Sequence, residues 1–149
     1  MIKRLLFVLV LGVLAYGQGF ISIPPFELSE SLAEARSHGI PLQYWITQPG
    51  NKVVYGYKGD GMRYTLTFYR GSLIEVECSM YAGDDLLGLY TSFVQEGGKS
   101  LGFEGTETVV TGQYPGHTTK WRSTNIDYEV RHTHSHIELT VKAHEDLYK

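Results

Sequence analysis

The chain has 149 residues, with 13 Lys and Arg against 16 Asp and Glu and a formal net charge of −3 at neutral pH. A mildly acidic chain is a poor binder of nucleic acid or anionic lipid by long-range attraction. Its one cysteine, Cys78, rules out an internal disulfide, so a packed core must supply the stability.

The start is read as an export signal. Lys3 and Arg4 give a short positive region, and Leu5 to Leu14 is apolar. Ala15 and Gly17 are the small residues wanted three apart before a cut. A membrane-spanning helix needs roughly 20 apolar residues, and Gly17, Gln18 and Gly19 end this run too soon. The expectation is cleavage after Gly17, with residues 1–17 as signal peptide and residues 18–149 as a single exported domain. That domain would be periplasmic or extracellular, with no stable membrane anchor. Cys78 lies far from the cut, so no lipid anchor is expected.

Residues 18–26 read as an extended lead-in, because Pro24-Pro25 blocks helix. A short helix is expected over Leu28 to His38, with Ser31 and Glu34 at capping-box spacing and Gly39 and Pro41 closing it. Strands follow over Gln43–Thr47 and Lys52–Lys58. Met62–Tyr69 alternates clearly, Met62, Tyr64, Leu66 and Phe68 taking one face. Ile74, Val76, Cys78 and Met80 alternate in the next strand. A three-residue loop Tyr69-Arg70-Gly71 would pair Leu66 with Ile74 and Tyr64 with Val76.

A second helix is expected from about Asp84. Leu86, Tyr90, Phe93, Gly97 and Leu101 recur at helical spacing, and Gly97-Gly98 is expected to weaken or kink it. Strands Glu107–Thr111 and His117–Ser123 come next. Ile126–His132 and His136–Ala143 then form a hairpin. Their apolar residues change from even to odd positions, which demands a two- or four-residue turn near His134-Ser135. Both halves thus run helix, strand, strand, hairpin. The expected fold is α+β: one curved antiparallel sheet with both helices on one face, built from pseudo-duplicated α-β-β-β units. Two such units in an exported chain resemble, in architecture alone, small envelope domains such as the duplicated β-lactamase inhibitor protein fold and outer-membrane assembly lipoproteins. No motif carries that likeness.

His132, His134 and His136 are the most pointed candidate site. On one flat strand, alternate residues lie about 7 Å apart on a common face, and His-x-His is a ligand spacing for zinc or copper. The expected turn breaks that row, although His132 and His136 can still meet across the hairpin and His117 can approach in space. Cys78 reads as a buried small hydrophobe, and Glu75 and Glu77 as solubilising acids on the polar face. Gly56 to Gly61 is glycine-rich but fits neither phosphate-loop spacing, and no nucleophile elbow, zinc-protease motif or calcium loop is present. Tyr44, Tyr55, Tyr57, Tyr69 and Trp121 cannot all occupy one buried face, so they either form an exposed patch suited to recognition or cover the second face of the sheet and pack under loops. The function that follows is a non-catalytic exported domain binding a protein or other envelope ligand, without a cofactor. The alternative is a metal-binding protein or metallo-enzyme using His132, His134 and His136.

Overall fold

The computed structural model describes residues 22–113 and 115–144; the expected signal, its cut after Gly17 and residues 145–149 lie outside them. Eight strands form one antiparallel sheet. They are β1 (Gln43–Gln48), β2 (Lys52–Gly59), β3 (Met62–Tyr69), β4 (Ser72–Tyr81), β5 (Thr106–Val110), β6 (Gly116–Arg122), β7 (Ile126–His132) and β8 (His136–Ala143). Their order is β1-β2-β3-β4-β8-β7-β6-β5, so each half is a four-strand meander and the two halves meet at β4 and β8. Each half opens with a helix, α1 (Leu32–Ser37) or α2 (Leu86–Leu101). A unit therefore carries four strands, the closing hairpin supplying two.

Alternation and register put the apolar set on one face. Leu66 pairs with Val76 and Tyr64 with Cys78; Val76 pairs with Val141 and Cys78 with Leu139; Val141 pairs with Tyr128 and Leu139 with Val130. All are buried, and together with Phe26, Ala35, Tyr90 and Phe93 they form one core under both helices. An aromatic pair recurs in each half at the same spacing, Tyr57 opposite Tyr64 and Trp121 opposite Tyr128.

Several local expectations are refined. α1 starts at Leu32 rather than Leu28, because Ser31 is its N-cap: its hydroxyl accepts from Glu34 N–H at 3.1 Å while the Glu34 carboxylate accepts from Ser31 N–H at 3.0 Å. The same spacing that signalled the helix thus excludes Leu28 from it. The lead-in is not simply extended. Ile23 and Phe26 bridge across a cis Pro24–Pro25 turn, and both side chains are buried. The β3–β4 loop has two residues, Arg70 (φ 51°) and Gly71 (φ 80°), and the register shifts after Thr67. Tyr69 then faces Ser72 and Leu66 faces Val76, two residues later than the sequence spacing suggested. Two successive positive-φ residues match the right-handed strand twist, and the bulge absorbs the extra residue. α2 runs unbroken through Gly97 and Gly98 after a 3-10 turn at Gly83–Asp85, and left-handed Gly102 caps its end. His132 pairs with Ile137 and Thr133 N–H donates to the His136 carbonyl at 3.0 Å, so the β7–β8 turn has 134–135 at its tip and keeps the register that the parity change required.

Candidate functional site

The three sequence-predicted histidines separate. His132 ends β7 on the helix face, where it is buried. His136 opens β8 one residue before the inward Ile137, so it takes the opposite face and lies edge-on to Tyr81 at 5.6 Å. His134 is exposed in the turn between them. Among the described residues, no three His, Cys, Asp or Glu side chains gather in a way that could hold a metal ion. The strand pleat explains the separation: the turn that restores one apolar face also sends His132 and His136 to opposite faces.

What His132 does meet is His117, opposite it on β6. His117 Nδ1 and His132 Nε2 are 2.8 Å apart, and His132 Nδ1 lies 3.2 Å from the Thr133 carbonyl. A carbonyl only accepts, so His132 donates from Nδ1, and in a neutral ring its Nε2 then accepts from His117 Nδ1–H. The Tyr90 ring meets His132 edge-on at 4.6 Å, and the Tyr90 hydroxyl bonds to Thr119. Burial raises the Tyr90 phenol above its ordinary range, the Thr119 hydrogen bond pulling the other way. These groups tie α2 to β6 and β7.

The five aromatics divide between those alternatives. Trp121 is 1% exposed, stacked on Tyr128 at 5.2 Å, its indole N–H donating to the Phe103 carbonyl at 3.0 Å. Tyr55 and Tyr57 are half-buried at the margin of the core. Tyr69 is half-buried beside the Arg70 guanidinium at 5.2 Å. Of the five aromatics only Tyr44 stands well out, at 57% exposure, and its strand neighbours Trp45 (40%) and Ile46 (55%) stand out with it. All six residues of β1 are exposed, none carries a charge, and among the described residues β1 pairs on one side only. Half its main-chain N–H and C=O groups therefore point outward along a free edge. The register shifts between Tyr44 and Ile46, so Tyr44 sits opposite Tyr55 on the helix face while Ile46 sits opposite Val54 on the other. The Trp45 ring lies over Gly56, in the space a Cβ there would fill. Trp45 and Ile46 escaped the sequence reading, although an uncharged strand opening a meander is a recognisable edge signal.

No known protein family, curated protein or solved structure matches the chain.

The remaining sequence candidates are placed without ambiguity. Cys78 is fully buried beside Tyr64, and burial pushes its thiol up to about 12. Protonated and enclosed, it is no nucleophile. Glu75 and Glu77 lie on the open face but are half-buried there. Desolvation, then the Glu138 carboxylate on β8, raises Glu77 above the usual carboxylate range, while Arg63 at 3.7 Å opposes them. Cross-strand pairs such as Lys120–Glu129 (3.8 Å) and Arg122–Asp127 (3.7 Å) make the rest of this face a charge ladder that keeps it wet. No helix among the described residues is long and apolar enough to cross a membrane.

Proposed function

We propose that the protein is an exported, non-catalytic binding domain that receives an extended, uncharged segment of a partner protein along the free edge of β1. The observation that carries this reading is the edge itself: six exposed residues without a charge, bearing Tyr44, Trp45 and Ile46. Free edges are normally blunted with lysine, proline or short length. The opposite edge, β5, is shorter and carries Glu107; β1 keeps its prolines, Pro41 and Pro49, outside the strand. A strand added to β1 gains main-chain hydrogen bonds, and side chains on its two faces meet Tyr44 on one side and Trp45 with Ile46 on the other. Aromatic anchors of this kind carry much of the energy at protein interfaces. An uncharged partner segment fits, because nothing on β1 would pair with a charge.

The test is selection of peptides from a random library on the immobilised protein, followed by NMR mapping of the winners. The reading requires extended, apolar peptides that shift the amides of residues 43–48 and lose at least tenfold in affinity when Ile46→Lys puts a charge on the edge. Winners that map elsewhere, or that ignore Ile46→Lys, refute it. Sedimentation of the protein alone identifies the competing occupant, since a dimer abolished by Ile46→Lys means that β1 takes a second copy.

A further inference from the structure

The β2–β3 turn and the β7–β8 turn stand at one end of the sheet, on either side of the end of β4. Tyr81 N–H donates to the Gly61 carbonyl at 3.2 Å, and Ala82 N–H to the Ser135 carbonyl at 2.9 Å. Between the turns the open face forms a cleft of about 570 Å3. Ser79 and Tyr81 make its floor, Lys58 and Arg63 one wall, and His134, His136 and Glu138 the other. It shares no residue with β1.

We propose that this cleft binds a small hydroxylated ligand carrying an oxyanion, the chemistry of a sugar phosphate or a sugar acid. The chain as a whole is acidic, yet the lining of this concavity sets Lys58, Arg63 and two imidazoles against Glu138, with Glu77 reaching Arg63 from beside the cleft. A recess between protein walls concentrates the field of its lining, so Lys58 and Arg63 at its wall draw anions into it. Arg63 meets Glu77 only at 3.7 Å and its side chain is 47% exposed, which leaves guanidinium N–H groups for a planar or tetrahedral oxyanion. The Ser135 hydroxyl lies 2.7 Å from His136 Nδ1. In the tautomer in which the serine donates, the ring carries its proton on Nε2 and His136 offers a second N–H donor to the cleft.

Tyr81 is 51% exposed and packs edge-to-face against His136, giving an aromatic surface on which a sugar ring can lie. Glu138 accepts from ligand hydroxyls, and Ser79, Thr133 and Ser135 offer hydroxyls of their own. A bare anion uses half of this lining, and a neutral sugar the other half. A ligand with both groups uses all of it.

The experiment is a two-dimensional NMR titration of the purified protein with inorganic phosphate, glucose 6-phosphate and glucose. The expected result is saturable shifts of Gly59, Gly61, Arg63, Tyr81 and residues 133–138 with the two phosphates, tighter for glucose 6-phosphate. Lys58→Gln with Arg63→Gln is expected to weaken both at least tenfold. Lys120→Gln, which removes a cation elsewhere on the same face, leaves both within twofold. Tyr81→Ala is expected to weaken glucose 6-phosphate and spare inorganic phosphate. Each variant is checked for an unchanged melting curve, and His136→Gln serves as the second probe should the double variant melt early. No saturable shift with either phosphate, equal binding of glucose, or indifference to Lys58 and Arg63 overturns the assignment. Because the cleft and β1 share no residue, either outcome leaves the strand-addition test untouched.

Discussion

Gly97 and Gly98 are neighbours in α2, and replacing each by alanine is expected to move stability in opposite directions. Alanine is better than glycine in a helix interior by roughly 0.5–1 kcal/mol, a gain common to both sites. At Gly98 nothing opposes it, since an added Cβ meets only the Phe103 carbonyl oxygen at 3.7 Å, an ordinary contact. At Gly97 the same atom lies 2.9 Å from Trp121 Cη2, Trp121 Cζ2 and Tyr128 Cε1. Both rings are 1% exposed and stacked on each other, and the indole is held by its bond to Phe103. Neither can swing aside, so α2 must lift off the sheet by about half an ångström, and overpacking of this kind costs roughly 1–3 kcal/mol. The helix-propensity terms cancel in the comparison, leaving the two variants about 1–3 kcal/mol apart. Gly98→Ala is expected to stabilise by about 0.5–1 kcal/mol, and Gly97→Ala to destabilise by about 1 kcal/mol. Urea unfolding followed by tryptophan fluorescence measures both, with melting temperatures expected to part by at least about 3 °C. Equal stabilisation by the two alanines would refute the close seating of α2 on the Trp121–Tyr128 pair.

Glu77 has a carboxyl raised above its unfolded value, so its favourable contribution to folding is complete below about pH 4 and is lost as pH rises through the folded-state value. Glu77→Gln should therefore stabilise at pH 7, by a few tenths of a kcal/mol to about 1 kcal/mol, and the advantage should vanish in acid; a constant advantage across pH contradicts this. Gly56→Ala should push the Trp45 ring off β2 into water at a cost of about 1 kcal/mol, seen as a red shift and acrylamide quenching of that tryptophan while Trp121 stays protected. The Cys78 thiol should resist a disulfide reagent at pH 8 in the folded protein and react once per chain in guanidinium; fast native reaction contradicts its burial. Mass spectrometry of protein recovered from outside the cytoplasm should give a chain beginning at Gln18, and an intact Met1 would refute cleavage after Gly17.

Patterns with a period of two or 3.6 residues, and the turn chemistry between them, were written locally and could be read without tertiary information. Met62–Tyr69, Ile126–His132 and His136–Ala143 alternate because one face of a sheet is dry, and the parity change at His134-Ser135 forces a turn wherever the chain goes. Tyr90, Phe93, Gly97 and Leu101 mark the buried stripe of α2 for the same reason. Ser31 and Glu34 specify where α1 begins, since a capping box is a contact three residues long. Other properties depend on which strands become neighbours, and no local pattern encodes that. The pairing of β4 with β8 decided that Glu77 feels Glu138, and the pairing of β6 with β7 brought His117 to His132. Whether Trp121 was exposed or covered was decided by α2, which lays Gly97 on its ring. β1 became a free edge only because the sheet stops there. The cleft with Lys58, Arg63, His134 and His136 joins two turns more than seventy residues apart in the chain, brought to one end of the sheet by antiparallel pairing across its centre. The sequence by itself determined the elements and their dry faces, because short-range sterics and solvent exposure act residue by residue. Only the tertiary structure decided the edge, the cleft and the histidine pair, because each is made from strands whose neighbours are chosen by the whole sheet.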